Sequence, residues 1–186
     1  MDPAGTDYDF KKILQEMRDD YWRSLELSDD DAGAVLREFV VVQLGNTRFA
    51  LPAADCREVL RPPRIVKVPG AGEHIRGIIN LRGEIVAVTD LTPLLGLERS
   101  ELPPQPQLVV VAANGLTTAL LVARVEGLIH VAIDTIEPVA AGLSGLQHDI
   151  VSGQLQQTGG TLIFLDLHRT LERPELIIDQ KASERL

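Results

Sequence analysis

The chain has 186 residues, enough for one domain with a substantial core or for two small fused lobes. Its net charge of −9 argues against nucleic acid as a partner, and its single cysteine, Cys56, excludes an internal disulfide and a Cys-x-x-Cys metal or redox site. The sequence has no signal peptide pattern and no apolar stretch of the roughly 20 residues that a membrane span needs. We therefore expect a soluble, cytoplasmic protein without direct membrane insertion.

The first 37 residues differ from the rest of the chain. Apolar side chains recur at helical spacing between residues 8 and 26, which predicts one amphipathic helix with a single apolar stripe. The following Ser-Asp-Asp-Asp-Ala-Gly, residues 28–33, is typical of an acidic linker. The helix needs a surface to lie against, either on its own domain or on a partner, and both alternatives stay open.

From Glu38 onward the sequence is typical of a β-rich domain. Short apolar runs separated by turn residues favour barrels or sandwiches over a parallel sheet. Phe-Val-Val-Val-Gln-Leu and Thr-Arg-Phe-Ala-Leu-Pro flank a Gly-Asn turn and predict a hairpin, and Pro52 predicts a short helix over 52–60. Further strands are predicted at 64–68, 76–81, 84–91, 108–113, 116–123, 127–132, 150–155 and 161–167.

A weak internal repeat divides this β region. Residues 39–60 resemble 108–129, and residues 80–95 resemble 156–171. The repeat predicts two similar lobes, at about 38–100 and 106–174, with a proline-containing connector between them. Each lobe alone would bury too little apolar area to be stable, so we expect the lobes to pack together.

The repeat also separates what the fold requires from what it does not. The turn glycine, Gly83, and an Asp-Leu pair occur in both copies and are predicted to serve the fold. Asn80 and Arg82 occur in the first copy only, where they point to the same face of a strand, and are replaced by Gln156 and Thr158 in the second. We infer that the hairpin turn does not need Arg82.

The sequence offers little for catalysis. It has no nucleotide-binding glycine motif, no nucleophile elbow, and four histidines without metal-ligand spacing (His74, His130, His148 and His168). Arg57 could lower the pKa of Cys56, although a buried structural thiol is the commoner outcome. Capping or turn formation explains Asp90 and Asp166. We therefore expect no enzyme activity, no cofactor and no metal, and we interpret the chain as a binding module.

Residues 76–91, Arg-Gly-Ile-Ile-Asn-Leu-Arg-Gly-Glu-Ile-Val-Ala-Val-Thr-Asp-Leu, strongly resemble the signature hairpin of the CheW-like family, the coupling proteins of bacterial chemotaxis arrays. Residues 39–77 fit that family's opening. The resemblance covers about 38–174, leaving 1–37 as an N-terminal extension and 175–186 as a C-terminal tail. It implies a mainly β fold with short helices, in which two intertwined five-stranded SH3-like barrels exchange strands, so the lobe boundaries are approximate.

The resemblance also implies a function. It implies a non-enzymatic adaptor, recruited to membrane-associated receptor arrays, that links the cytoplasmic tip of methyl-accepting chemoreceptors to the regulatory domain of the histidine kinase CheA. The sequence contains neither a receiver domain nor kinase motifs, which disfavours a CheV-type fusion and CheA itself. The alternative is a specialised CheW-like scaffold whose N-terminal helix recruits another partner or blocks the usual interface.

The resemblance places the partner contacts at eight positions. In the family, kinase-facing contacts involve the first lobe, and a receptor groove runs between the lobes, here near Val122 to Val125. Asn80 is expected to support the signature turn rather than contact a partner directly. The implied partner-binding residues are Arg82, Gly83, Gly77, Glu58, Cys56, Asn80, Val122 and Val125.

The segment around these positions is basic. Residues 48–82 carry seven bases and three acids, whereas residues 1–38 carry eleven acids and five bases. The basic excess is either a set of solvated strand edges or a face complementary to an acidic protein surface.

Overall fold

The structure, a computed structural model, describes residues 34–97, 102–139 and 149–176. The predicted N-terminal helix, the acidic linker and most of the C-terminal tail lie outside these residues. The strands, in chain order, are β1 (Leu36–Leu44), β2 (Thr47–Pro52), β3 (Cys56–Leu60), β4 (Ile75–Leu81), β5 (Glu84–Thr89), β6 (Gln107–Ala113), β7 (Leu116–Val122), β8 (Arg124–Ala132), β9 (Val151–Gln157) and β10 (Gly160–Leu165). The short helical elements are α1 (Leu167–Leu171) and 3-10 turns at Ala53–Asp55, Ile133–Thr135 and Pro174–Leu176.

The strands form two five-stranded sheets. The first sheet has the order β8-β1-β2-β10-β9 and the second the order β3-β6-β7-β5-β4. The chain therefore leaves the first sheet after β2, builds the whole second sheet, and returns to complete the first. Each sheet contains one parallel pair, β2 with β10 and β5 with β7, and its other pairs are antiparallel. This confirms the expected mainly β fold of two intertwined five-stranded units.

The internal repeat holds strand by strand. If β1 to β5 are matched to β6 to β10, the order of the first sheet becomes that of the second. The register agrees as well, because Asn80 faces Ile85 in the first copy and Gln156 faces Thr161 at the matching positions of the second. A paired position of β4 or β5 therefore has the same strand pairing as the position 76 residues further along, in β9 or β10.

The central strands are buried on both faces. One apolar cluster contains side chains from both sheets, with Val40, Val42, Phe49 and Leu51 from the first and Val109, Val111, Leu120 and Val122 from the second. Alternate side chains form one further cluster in each sheet, with Phe39, Val41 and Phe164 in the first and Ile79, Val86 and Val110 in the second. Burial on both faces explains why these strands are continuous apolar runs instead of alternating ones. The contacts between the sheets are therefore part of the hydrophobic core.

The predicted helix over 52–60 is wrong. After one 3-10 turn the chain forms β3, which pairs antiparallel with β6 and supplies that strand with its second neighbour. Half-buried Cys56 and Val59 pack against the cluster shared by the sheets. Pairing and packing outweigh the local signal from Pro52, because propensity is weaker than tertiary context. Cys56 and Glu58 therefore lie on an edge strand.

A narrow bridge joins the two edges of each sheet. Val66, after edge strand β3, exchanges two hydrogen bonds with Ile78 of the opposite edge strand β4, at 2.9 and 2.8 Å. Glu137 and Gln154 make the equivalent bridge in the first sheet, also at 2.9 and 2.8 Å. The strand predicted at 64–68 is reduced to this single bridge in the structure.

A glycine lies beside each bridge. A Cβ atom on Gly77 would lie 2.4 Å from the carbonyl oxygen of Val66, and one on Gly153 would lie 2.4 Å from Cγ2 of Ile136 and 2.9 Å from the carbonyl oxygen of Glu137. Both glycines therefore serve the fold, because any side chain would push the bridging segment away.

Replacing Gly77 with Ala should lower the free energy of unfolding by about 2–4 kcal/mol, because the new Cβ overlaps the backbone of Val66. Gly153→Ala should have a similar effect in the other sheet. The control is Gly159→Ala, whose Cβ would meet only Nη1 of Arg48, at an ordinary contact distance of 3.5 Å, and should change stability little. Urea denaturation measures all three, and equal stability of the three variants would contradict the packing role.

Candidate functional site

The hairpin between β4 and β5 ends in a two-residue turn, Arg82–Gly83, between the paired residues Leu81 and Glu84. Both turn residues have positive φ, 53° at Arg82 and 95° at Gly83, as a type I′ turn requires. The Oδ1 atom of Asn80 accepts a hydrogen bond from the backbone N–H of Gly83 at 2.8 Å. This contact confirms the prediction that Asn80 supports the turn.

Arg82 is an unfavourable residue for its place in this turn. A side chain in the left-handed region costs about 1–2 kcal/mol, and only Gly, Asn and Asp adopt it readily. The turn between β6 and β7 has the same geometry, with φ of 53° and 77°, and uses the favoured pair Asn114–Gly115. Turn geometry therefore does not select an arginine at position 82.

The guanidinium of Arg82 forms a bidentate ion pair with Glu58. Nη1 donates to Oε1 at 3.1 Å and Nη2 donates to Oε2 at 2.9 Å. Glu58 lies on edge strand β3, so the pair spans the two edges of the second sheet beyond the Val66 bridge. The Arg82 side chain is 79% exposed and that of Glu58 24%. An exposed pair of this kind stabilises a fold by about 0.2–1 kcal/mol, so its main effect is to orient the guanidinium.

Cys56 is a structural thiol. Its Sγ donates to the carbonyl oxygen of Pro52 at 3.4 Å. Burial, with the neighbouring Asp55 carboxylate adding to the effect, raises the pKa of Cys56 to about 12. The prediction that Arg57 could lower this pKa is wrong, because the exposed Arg57 side chain compensates for neither cause. The thiol is protonated at neutral pH and unsuited to nucleophilic chemistry.

The two valines predicted to line a receptor groove lie in or against the core. Val122 is 1% exposed and belongs to the cluster shared by the sheets. Val125 is half-buried against that cluster, and its backbone N–H donates to Oε1 of Gln107 at 2.7 Å. The structure gives both residues packing roles, and a partner contact at this place stays a prediction.

The structure thus brings four of the eight predicted positions together at one exposed corner, hereafter the hairpin corner. Its residues are Asn80, Arg82, Gly83 and Glu58. A Cβ on Gly83 would meet nothing within 4 Å, so this face of the turn is open. The other four positions, Gly77, Cys56, Val122 and Val125, have structural roles that explain their residue types.

Two exposed aliphatic residues near the corner were missed by sequence reasoning. Ile85 is 65% exposed and faces Asn80 across the hairpin, and Val66 is 52% exposed and bridges to Ile78. The repeat distinguishes these two residues, because their counterparts in the second copy, Thr161 for Ile85 and Glu137 for Val66, are polar.

Asp90 and Asp166, which occupy equivalent positions of the repeat, have structural roles, as predicted. Asp166 accepts from the backbone N–H of Arg169 at 3.0 Å and caps α1. Asp90 accepts from the backbone N–H of Thr92 at 3.0 Å and faces Nε of Arg76 at 3.4 Å. Among the described residues, no group of three or more His, Cys, Asp or Glu side chains could hold a metal ion. Within the same residues, no helix is both long and apolar enough to cross a membrane.

Comparison with known proteins identifies the family. The family model described as the CheW-like domain matches residues 38–175. The chain belongs to the CheW-like family. This family comprises chemotaxis scaffold and adaptor proteins, and the match covers both sheets and the hairpin corner.

Individual relatives agree with this assignment. Protein PilI of Pseudomonas aeruginosa is 31% identical over 112 residues, 58% of this chain and 63% of PilI, so the match spans less than two thirds of that relative. Chemotaxis protein CheW of Treponema pallidum is 22% identical over 143 residues, 75% of this chain and 84% of that protein. The crystal structure of scaffolding protein TtCheW from Thermoanaerobacter tengcongensis has a TM-score of 0.67 and 28% identity, covering 76% of this chain and 96% of that one.

Arg82→Asn should change the free energy of unfolding by less than about 1 kcal/mol, because relief of turn strain offsets loss of the Glu58 pair. Urea denaturation measures the change. Gly83→Ala serves as the comparison, since its φ of 95° should make an alanine there clearly destabilising. A loss of 2 kcal/mol or more in Arg82→Asn would mean that the ion pair holds the fold together.

Cys56 should react with iodoacetamide slowly at pH 8 in the folded chain, and the rate should rise as pH increases from 9 towards 12. Because burial raises the pKa of the folded-state thiol above its ordinary value of 9.0, the thiol's contribution to stability is present below pH 9 and is lost as pH rises towards 12. The urea-denatured chain is the control and should titrate near pH 9. Equal rates for folded and denatured chains at pH 8 would contradict the burial of the thiol.

Proposed function

We propose that this chain is a non-enzymatic coupling scaffold of a chemosensory array, which joins the cytoplasmic tip of chemoreceptors to the regulatory domain of a CheA-type histidine kinase. Membership of the CheW-like family supports the general role. The observation that carries the assignment of the site is Arg82, an exposed arginine held in strained backbone geometry at a turn that does not need it. Residues in strained conformations cluster at functional sites. The proposed location is the cytoplasm, at membrane-associated arrays.

The geometry of the pair suits contact with an acidic partner. A guanidinium has five N–H donors, and the pair with Glu58 uses two of them, which leaves three for a partner. Glu58 fixes the plane of the guanidinium in advance, so a partner carboxylate meets an ordered donor set. No bound cofactor is needed for this role, and none is proposed.

A charge-swap series tests the site. Arg82→Glu should weaken binding of the kinase regulatory domain by about tenfold or more, because it places a like charge opposite the partner's carboxylates. Glu58→Arg should also weaken binding, since it leaves Arg82 without its orienting partner. The double variant, Arg82→Glu with Glu58→Arg, restores an ion pair within the chain but places a carboxylate where the partner meets a guanidinium, so its binding of the kinase domain should stay weak. Isothermal titration calorimetry with the purified regulatory domain measures all three.

The control for this series is Arg124→Glu, which makes the same change of charge at a side chain that is 65% exposed on the first sheet. It should bind the kinase domain normally. Full binding by the double variant would show that the pair serves only the fold, and unchanged binding by Arg82→Glu would remove the assignment of the site.

A second candidate is a specialised CheW-like scaffold whose N-terminal extension recruits another partner or blocks the usual interface. The observation that favours it is the charge of that extension, ten acids against five bases over residues 1–37, whereas residues 48–82 carry seven bases against three acids. A blocking segment would need this complementarity.

Removal of residues 1–33 separates the two candidates. The truncation leaves β1 intact, since that strand begins at Leu36. A simple coupling scaffold should bind the kinase domain with unchanged affinity, whereas a blocked scaffold should bind more tightly after truncation. The melting temperature is the control, because a large fall would mean that the extension is part of the core and would remove the blocking hypothesis.

A further inference from the structure

An aliphatic surface lies beside the hairpin corner. Val66, Ile78 and Ile85, hereafter the aliphatic strip, lie on one face of the second sheet. Val66 is bridged to Ile78, Ile78 and Asn80 are two residues apart on β4, and Asn80 is paired with Ile85. Paired residues, and residues two apart on a strand, have side chains on the same face. The alternate residues Ile79 and Val86 belong to the cluster of buried side chains in this sheet, so the strip faces away from that cluster.

The repeat provides an internal control for the strip. Glu137 and Gln154 form the matching bridge in the first sheet, and Thr161 is the counterpart of Ile85. The three matching positions share their pairing register and are all polar. The fold therefore accepts Glu, Gln and Thr at these places and does not require Val, Ile and Ile.

The strip is partly open to water. Ile85 is 65% and Val66 52% exposed, and Ile78 is half-buried. Single exposed aliphatic residues need no explanation, but a contiguous set whose counterparts are polar marks a surface that a partner covers. Burying such side chains supplies the apolar centre of a protein interface, with polar groups at its rim.

The charges around the strip are mainly positive. Arg64 and Lys67 are exposed on either side of Val66, and Arg82 lies three residues before Ile85 at the tip of the same hairpin. Glu84 is the exposed acid at that tip. A partner that covers Ile85 comes within reach of Arg82, so the strip and the hairpin corner fall within one interface.

From these observations we infer that the aliphatic strip is the apolar centre of the partner interface at the hairpin corner. Its occupant is a protein surface that is aliphatic at its centre and carries carboxylates at its rim. This inference rests on the proposed function in taking that partner to be the regulatory domain of the CheA-type kinase. The strip supplies the part of the affinity that does not depend on salt, and Arg82 supplies the part that does.

The test exchanges strip residues for their own counterparts. Ile85→Thr, Ile78→Gln and Val66→Glu each install the residue that the first sheet uses at the same place, so the fold should tolerate them. Binding is measured by calorimetry with two separate probes, the regulatory domain of a CheA-type kinase and a receptor cytoplasmic fragment. Ile85→Thr should weaken binding of the kinase regulatory domain, the probe that Arg82→Glu also affects, by about tenfold, and the triple variant should abolish it. The loss caused by Ile85→Thr, which changes no charge, should be the same at low and high salt, unlike that of Arg82→Glu.

The matched control is Leu116→Thr, which makes an aliphatic-to-threonine change at a side chain 39% exposed outside the strip. It should bind both probes normally, and circular dichroism should show all variants folded. Normal binding by the triple variant would overturn the strip while leaving the coupling function intact. Absence of binding by the unaltered chain to both probes would overturn the coupling function and the strip with it. Dimerisation of the unaltered chain that Ile85→Thr abolishes would overturn the assignment in favour of a second copy.

Discussion

The shared apolar cluster between the two sheets is the constraint on which the rest of the structure depends. Strands β1, β2, β6 and β7 are apolar on both faces, and each sheet buries one of those faces only against the other sheet. A fully buried Val, Leu or Ile contributes about 1.5–3 kcal/mol, so exposing this cluster would cost more than the whole stability of a small domain. The two sheets therefore fold and unfold as one unit. The residue types of the loops, edges and turns outside the cluster are less constrained by the core.

The duplicated fold turns one sheet into a reference for the other. Strands β4 and β5 have the same pairing register as β9 and β10, which lie 76 residues further along, so a difference in residue type between matching paired positions of these strands is not imposed by the pairing. Gly77 and Gly153 agree, and both are explained by a close approach of the bridging segment. Ile85 and Thr161 differ at matching paired positions, whereas Arg82 has positive φ and Thr158 does not, so the two turns are not equivalent. Agreement between paired positions identifies what folding needs, and disagreement identifies positions where the fold does not dictate the residue type.

Much of the fold followed from the sequence because its signals were local or repeated. The alternation of apolar runs and turn residues predicted most strands, and the repeat predicted the matching of the two sheets. The failures came where tertiary contacts decide. Pro52 and the residues after it were predicted to form a helix, but they form edge strand β3, which pairs with β6. The segment 64–68 was predicted to form a strand, but only Val66 is bridged. For the site, the sequence singled out Arg82 but could not show Glu58 across the sheet, the burial of Val122, or the desolvation of Cys56.

Strand exchange also has a consequence for how the chain folds. β1 and β2 are synthesised first, yet β2 pairs with β10 more than 100 residues later, as in the alignment of Arg48 with Leu162. Such distant pairings make folding slow, because the entropy of closing a long loop is lost before the contacts form. Until β8 and β10 arrive, the hairpin of β1 and β2 presents apolar faces and unpaired edges to the cell. The nascent chain is therefore most vulnerable to misassembly at the hairpin of β1 and β2, and protection of that hairpin depends on completion of β8 and β10.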